Sequence, residues 1–135
     1  MTEIHSAFVS QVEPVEFELL SRAFDGLAGA EVTAGRATLQ VGAPTGTGFA
    51  GTVYYSGTLR TGSLLVPSVK VEIVVSPWSS TRSEIGIRPL THLGSFDSLR
   101  SNRFYSAARS VLQAVFNQLR SGLPAEVSTD LELAA

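Results

Sequence analysis

Hydrophobic side chains recur along this chain with two periods, and each period predicts a different element. From Val69 to Val75 the odd positions Val69, Val71, Ile73 and Val75 are all apolar, with Lys70 and Glu72 between them. Successive strand side chains point to opposite faces, so this is a strand with one buried side. Thr52 to Arg60 reads the same way, with Val53, Tyr55, Gly57 and Leu59 sharing a face and Tyr54 on the other. Glu84 to Leu90 sets Ile85, Ile87 and Pro89 against Glu84, Gly86 and Arg88. Thr61-Gly62-Ser63 and Ser76 to Ser80 punctuate these runs, which predicts consecutive antiparallel strands joined by tight reversals. Further strands are expected at Ile4 to Val12 and at Glu31 to Val41, with Gly42 to Gly48 as a loop.

The second period is helical. Phe104, Ala108, Val111, Val115 and Leu119 form a stripe widened by Ala107, Leu112 and Phe116. Ser98 or Ser101 is placed to cap this helix, and Gly122 and Pro124 end it. One broad apolar face of that length suits a sheet better than a single partner helix. Val15 to Leu27 carries both periods. Phe17, Leu20, Phe24 and Leu27 lie at helical spacing, and acidic residues stand where a helix start favours them, so a short helix ended by Gly26 or Gly29 is expected. The fold class is therefore α+β: a curved antiparallel sheet packed on a long C-terminal helix, with a short helix near the N-terminus. Residues 1–124 form one domain and 125–135 an acidic, frayed tail.

The strand Val69–Val75, the turn Pro77-Trp78, the strand Glu84–Pro89 and the helix Phe104 to Leu119 together resemble the helix-grip, START-like or polyketide-cyclase-like superfamily (SRPBCC). That resemblance implies a sheet wrapped around the last helix, an apolar cavity between them, and a small hydrophobic ligand inside. Tyr55, Val71, Ile73, Ile87, Phe104, Ala108 and Val111 are the expected lining residues. Family members carry two helices after the first strand and a longer run of strands. This chain has room for one short helix and four strands, and no catalytic residue carries over.

Composition narrows the chemistry. The 135 residues contain no cysteine, which excludes disulfides, iron–sulfur clusters and a thiol nucleophile. The two histidines, His5 and His92, lack a second histidine at ligand spacing, so neither a metal nor any other cofactor is expected. Gly46-Thr47-Gly48-Phe49-Ala50-Gly51 matches a glycine-rich phosphate pattern, but a strand rather than a helix follows it, so it reads as a loop between strands.

Charge is uneven. Residues 1–35 carry six acidic side chains against Arg22, whereas residues 36–120 carry nine basic ones against three acidic. An acidic N-terminal segment lying against a basic remainder accounts for this, with Glu13–Glu18 facing Arg100, Arg103 and Arg109. With a pI near 5.6 no nucleic-acid partner is expected. Glu84, Arg88, Lys70 and Glu72 are expected as cross-strand ion pairs on a solvated face. There is no membrane span, and Met1 to Ser6 has neither a basic nor a long apolar run, which points to the cytoplasm.

Phe49, Tyr54, Tyr55 and Trp78 suit either core packing or a pocket or interface. Two other functions stay open: a dimerising interaction or chaperone-like module without a ligand, and a cofactor-free cyclase, lyase or isomerase using Tyr54, His92 or Glu84 as acid or base.

Overall fold

The computed structural model describes residues 9–63, 68–90 and 98–120, with side chains of the last segment described for 102–119. The elements are β1 (Val9–Glu13), α1 (Phe17–Asp25), β2 (Glu31–Ala34), β3 (Ala37–Thr47), β4 (Val53–Arg60), β5 (Val69–Pro77), β6 (Ser83–Pro89) and α2 (Ser98–Arg120). A single 3-10 turn, Phe49–Gly51, links β3 to β4. The six strands form one antiparallel sheet in the order β1-β6-β5-β4-β3-β2, curled into a half-barrel. The α+β class is as expected.

The alternation in sequence becomes rows of side chains across the hollow of the sheet. One row runs through Tyr55, Ile73, Ile87 and Val9 on four adjacent strands. Another runs through Val32, Leu39, Leu59 and Val69. A third brings Gly57 between Val41 and Val71. A Cβ on Gly57 would lie 2.9 Å from Ile73 Cδ1 and 3.0 Å from the Gln40 carbonyl, so the missing side chain lets the layers close at the bend. Two register shifts in β3, between Val41 and Pro44 and between Pro44 and Gly46, sharpen the curl.

Helix α2 spans roughly 34 Å at 1.5 Å per residue. It lies across the hollow, touching both edge strands, β1 and β2. Its whole expected stripe is buried: Phe104, Ala107, Ala108, Val111, Leu112, Val115, Phe116 and Leu119. Helix α1 adds Leu20 and Phe24 to the same core, and the Phe24 ring meets the Tyr55 ring edge-on at 4.8 Å.

Several expectations are corrected. Glu31 to Val41 is two strands, because Gly35 at φ +59° lets the chain reverse between Ala34 and Ala37. Gly42 to Gly48 is not a loop, since the bulged β3 continues pairing with β4 as far as Thr47. Hence five strands, not four, follow α1. Among the described residues the ion pairs are Arg60–Glu31 (3.1 Å) and Arg88–Glu72. The second is the expected cross-strand pair. The first joins an N-terminal acid to the basic remainder, but Glu13–Glu18 pairs with neither Arg103 nor Arg109. Glu13 instead turns into the core, where its carboxylate accepts a bond from the Gln11 amide. Ile4–Phe8, His5, His92, the cap at Ser98 or Ser101, the Arg100 side chain, the end of the last helix at Gly122 and Pro124, and the tail lie outside the described residues.

Two glycines separate conformational strain from close approach. Gly29 (φ +86°) has open space where a Cβ would go, whereas at Gly62 (φ +80°) a Cβ would sit 2.5 Å from Arg36 Cβ and 2.8 Å from its carbonyl. Gly29→Ala should lose about 1 kcal/mol of unfolding free energy in urea, from the left-handed backbone alone. Gly62→Ala should lose about 2 kcal/mol or more, because the β2–β3 turn must also move. Equal losses would show that the turn does not press on Gly62.

Candidate functional site

The hollow itself is filled. Six of the seven expected lining residues are at most 0% exposed and Tyr55 is 2% exposed, all within one apolar cluster with Leu20, Phe24, Leu39, Leu59 and Phe116. Their place is the core, and Tyr55 and Val71 also border clefts at its margin.

The largest described cleft, about 790 Å³, opens where the sheet meets α2. The β2–β3 turn (Ala34, Gly35, Arg36, Ala37) forms one wall, and Thr61, Gly62 and Ser63 beyond β4 form the second. Asn102, Arg103, Ser106, Ala107 and Ser110 of α2 form the third. Local chemistry explains this shape. Gly35 and Gly62 both take positive φ, so two turns stack closely with Arg36 laid on Gly62. On α2, Asn102, Ser106 and Ser110 recur every four residues beside the buried stripe, while Ala107 reaches the core as the floor. Buried Ala37 supplies the facing floor. Arg36 and Arg103 are both exposed, and neither has an ion partner among the described residues. The cleft therefore offers guanidinium, hydroxyl and amide donors over a small apolar base, a set that suits an anionic group on a partly apolar molecule.

A second cleft, about 370 Å³, lies between α1 and the β3–β4 pair, lined by Phe17, Glu18, Ser21, Arg22, Asp25, Pro44, Val53 and Tyr55. At its base the Tyr55 hydroxyl donates to Asp25 Oδ1 at 3.3 Å. Burial first, then the Asp25 charge and this hydrogen bond, push the Tyr55 hydroxyl up to about 12. The phenol is thus a neutral donor at ordinary pH that links β4 to the end of α1.

Of the alternative acid–base candidates, Tyr54 and Glu84 stand on strands separated by β5, and His92 lies outside the described residues. Tyr54 pairs with Val74 and Glu84 with Ser76, both with side chains on the outer face, and neither lines the two clefts described above. No group of three metal-ligating side chains occurs among the described residues. No described helix is long and apolar enough to cross a membrane. Sequence reasoning missed Arg36, Asn102, Ser106, Ser110 and Asp25. The only available signals were the four-residue spacing on α2 and the glycines flanking Arg36 and Ser63. Comparisons with protein-family models, curated proteins and solved structures find no match to this chain.

Tyr55 sets an alkaline prediction. Its folded value lies above its ordinary value of 10.0, so between about 10 and 12 the native state holds a proton that the unfolded chain releases. Native stability should then fall as pH rises through that window, and be unaffected by this group below it. In denaturant melts at stepped pH, Tyr55→Phe should flatten the decline. An unchanged slope would show that the phenol is not held as described.

Proposed function

We propose that this chain is a small-ligand-binding domain whose site lies between the sheet and α2, at the rim of the hollow rather than deep within it. The observation that carries this reading is the 790 Å³ cleft, within the usual range for small-molecule sites and bounded on three sides by the β2–β3 turn, Thr61–Ser63 and α2. The element order, with a helix after the first strand and a last helix laid across a curled meander, supports a helix-grip kinship. The ligand has an anionic head, for Arg36 and Arg103, and a short apolar part, for Ala37 and Ala107. A fully apolar ligand would leave two guanidinium groups without compensation and would find little apolar wall. Among the described residues lining the cleft the polar groups are hydroxyls, an amide and two guanidinium groups, a set suited to holding a ligand, so binding is the activity proposed.

Thermal melts with butanoate and butyl phosphate, against butanol as the uncharged control, test this. At tenfold excess over its dissociation constant a native-state ligand stabilises by about 1.4 kcal/mol, or roughly 3–5 °C for a domain of this size. Both anions should raise the melting temperature and butanol should not. Arg36→Gln with Arg103→Gln should remove the difference between them. Ser106→Trp, at an exposed wall position, should abolish the shift while leaving the unliganded melt in place. No shift with either anion would overturn the proposal, as would a shift that survives Ser106→Trp.

A further inference from the structure

The cleft between the turns and α2 is one-sided in charge. Arg36 borders it from the β2–β3 turn and Arg103 from α2, and among its described lining residues none is acidic, aromatic or a histidine. Glu31, on the same hairpin as Arg36, is held by Arg60 at 3.1 Å and does not line the cleft. A ligand there meets two positive charges and no negative one.

We propose that the cleft selects a dianionic head, the phosphoryl group of a small phosphate monoester, over a carboxylate. The proposal rests on the reading of the cleft as a ligand site and goes further, to the charge and shape of what that site prefers. Charge is the first reason. At separations near 5 Å and a solvent-like dielectric, each guanidinium adds roughly fourfold in affinity for one extra negative charge, so the two together add about tenfold. Both arginines are exposed, so a bound head keeps part of its water, and the stronger hydration of a dianion is not lost in full.

Donor count is the second reason. A guanidinium is a planar fork of N–H groups that meets two oxygens at once. Two forks fill the roughly four lone-pair positions of a carboxylate. A phosphoryl dianion has three terminal oxygens and accepts further bonds, for which α2 offers the Asn102 amide and the Ser106 and Ser110 hydroxyls.

The placement of the charges is the third. A Cβ on Gly62 would collide with the Arg36 Cβ and carbonyl, so the root of Arg36 lies directly against that turn. Arg103 precedes the fully buried Phe104 and shares a helical turn with buried Ala107. Both charges stand on backbone held by packing, and only their side-chain ends must be ordered by a ligand. The floor of Ala37 and Ala107 provides methyl groups for a few methylenes of the ester and no ring to stack on.

Calorimetric titration of the full chain with butyl phosphate, butanoate, glutarate and inorganic phosphate tests this. At about pH 7.5 and low salt, butyl phosphate should bind about tenfold tighter than butanoate, and the gap should narrow to about threefold in roughly 0.5 M salt. Lowering the pH to about 5.5 should weaken butyl phosphate about threefold, because its second ionisation lies near 6, and butanoate less than about twofold. Arg36 and Arg103, the charged side chains among the described lining residues, do not titrate in that window. Arg36→Gln and Arg103→Gln, each at an exposed position, should singly narrow the gap to about fourfold while circular dichroism stays native. Inorganic phosphate should bind about fourfold or more weakly than its butyl ester, for lack of contact with the alanine floor. Equal affinities for butyl phosphate and butanoate would overturn the proposal and leave an anion site in place, whereas no binding of any probe would remove the ligand reading and the proposal with it. Glutarate matching butyl phosphate would overturn it in favour of two separate carboxylate contacts, and inorganic phosphate matching butyl phosphate would overturn the choice of an ester. A gap that survives both arginine variants would overturn the role given to those two side chains.

Discussion

The apolar face of α2 seated in the hollow of the sheet is the interaction from which the rest of the molecule follows. Burying a side chain the size of Phe104, Leu112 or Phe116 contributes roughly 1.5–3 kcal/mol each. Without the helix, the rows through Tyr55–Ile73–Ile87 and Leu39–Leu59–Val69 would face water. Because α2 reaches both edge strands, its seat also fixes the curl. Large side chains from both layers and from α1 occupy the hollow, and the described clefts lie at its rim. There α2 turns its polar flank to the solvent and the sheet ends in turns. The site chemistry is thus a consequence of the packing: small residues where helix and turns approach, and donors just outside.

Strands β4, β5 and β6 were legible because each buries one face of a regular antiparallel pair, and such a strand must alternate. Helix α2 was legible for the parallel reason at period 3.6. The N-terminal half of the sheet was not. Its reversal at Gly35 takes two residues, too little to interrupt the alternation on either side. The bulges of β3 insert unpaired residues, so Gly42 to Thr47 loses the period of two while still pairing with β4. A pattern argument reads that loss as a loop. The lining residues were identified as the inward ones, and they are inward. Nothing in a sequence, however, states whether facing apolar surfaces leave a void or interlock. Arg36 and Ser106 were invisible for another reason: a cleft of surface side chains depends on which turns stack, and that is set by the positive φ of Gly35 and Gly62.

Electrostatics plays a smaller part in stability than the lopsided charge distribution suggests. Arg60–Glu31 joins two half-exposed side chains, and a pair of that kind contributes at most about 1 kcal/mol. Glu13 works against the fold. It is 6% exposed, one carboxylate oxygen accepts from Gln11, and Oε1 has no partner in the structure. A buried acceptor without a donor costs about 1–3 kcal/mol, more if charged. Ser83, opposite Glu13 in register, offers no relief, since its hydroxyl donates to the Val15 carbonyl at 2.7 Å. That bond ties the chain just before α1 to the start of β6 and helps aim the first helix at the core.

The two ends of the half-barrel are built from different turns, and the strand directions decide which turns meet. An antiparallel meander sends alternate connections to opposite ends. The β2–β3 turn and the exit of β4 therefore meet at one end, and the β3–β4 and β5–β6 turns meet at the other. The first end has Arg36 and Arg103 beside α2; the second has the exposed aromatics Phe49 and Trp78, with exposed Arg82 in the same turn as Trp78. Changing the chemistry of either end would mean changing its turn sequences, because the strands between them are committed to the core. The scaffold's stability and its surface chemistry are thus written in different residues: the inward rows and the α2 stripe for one, the turns for the other.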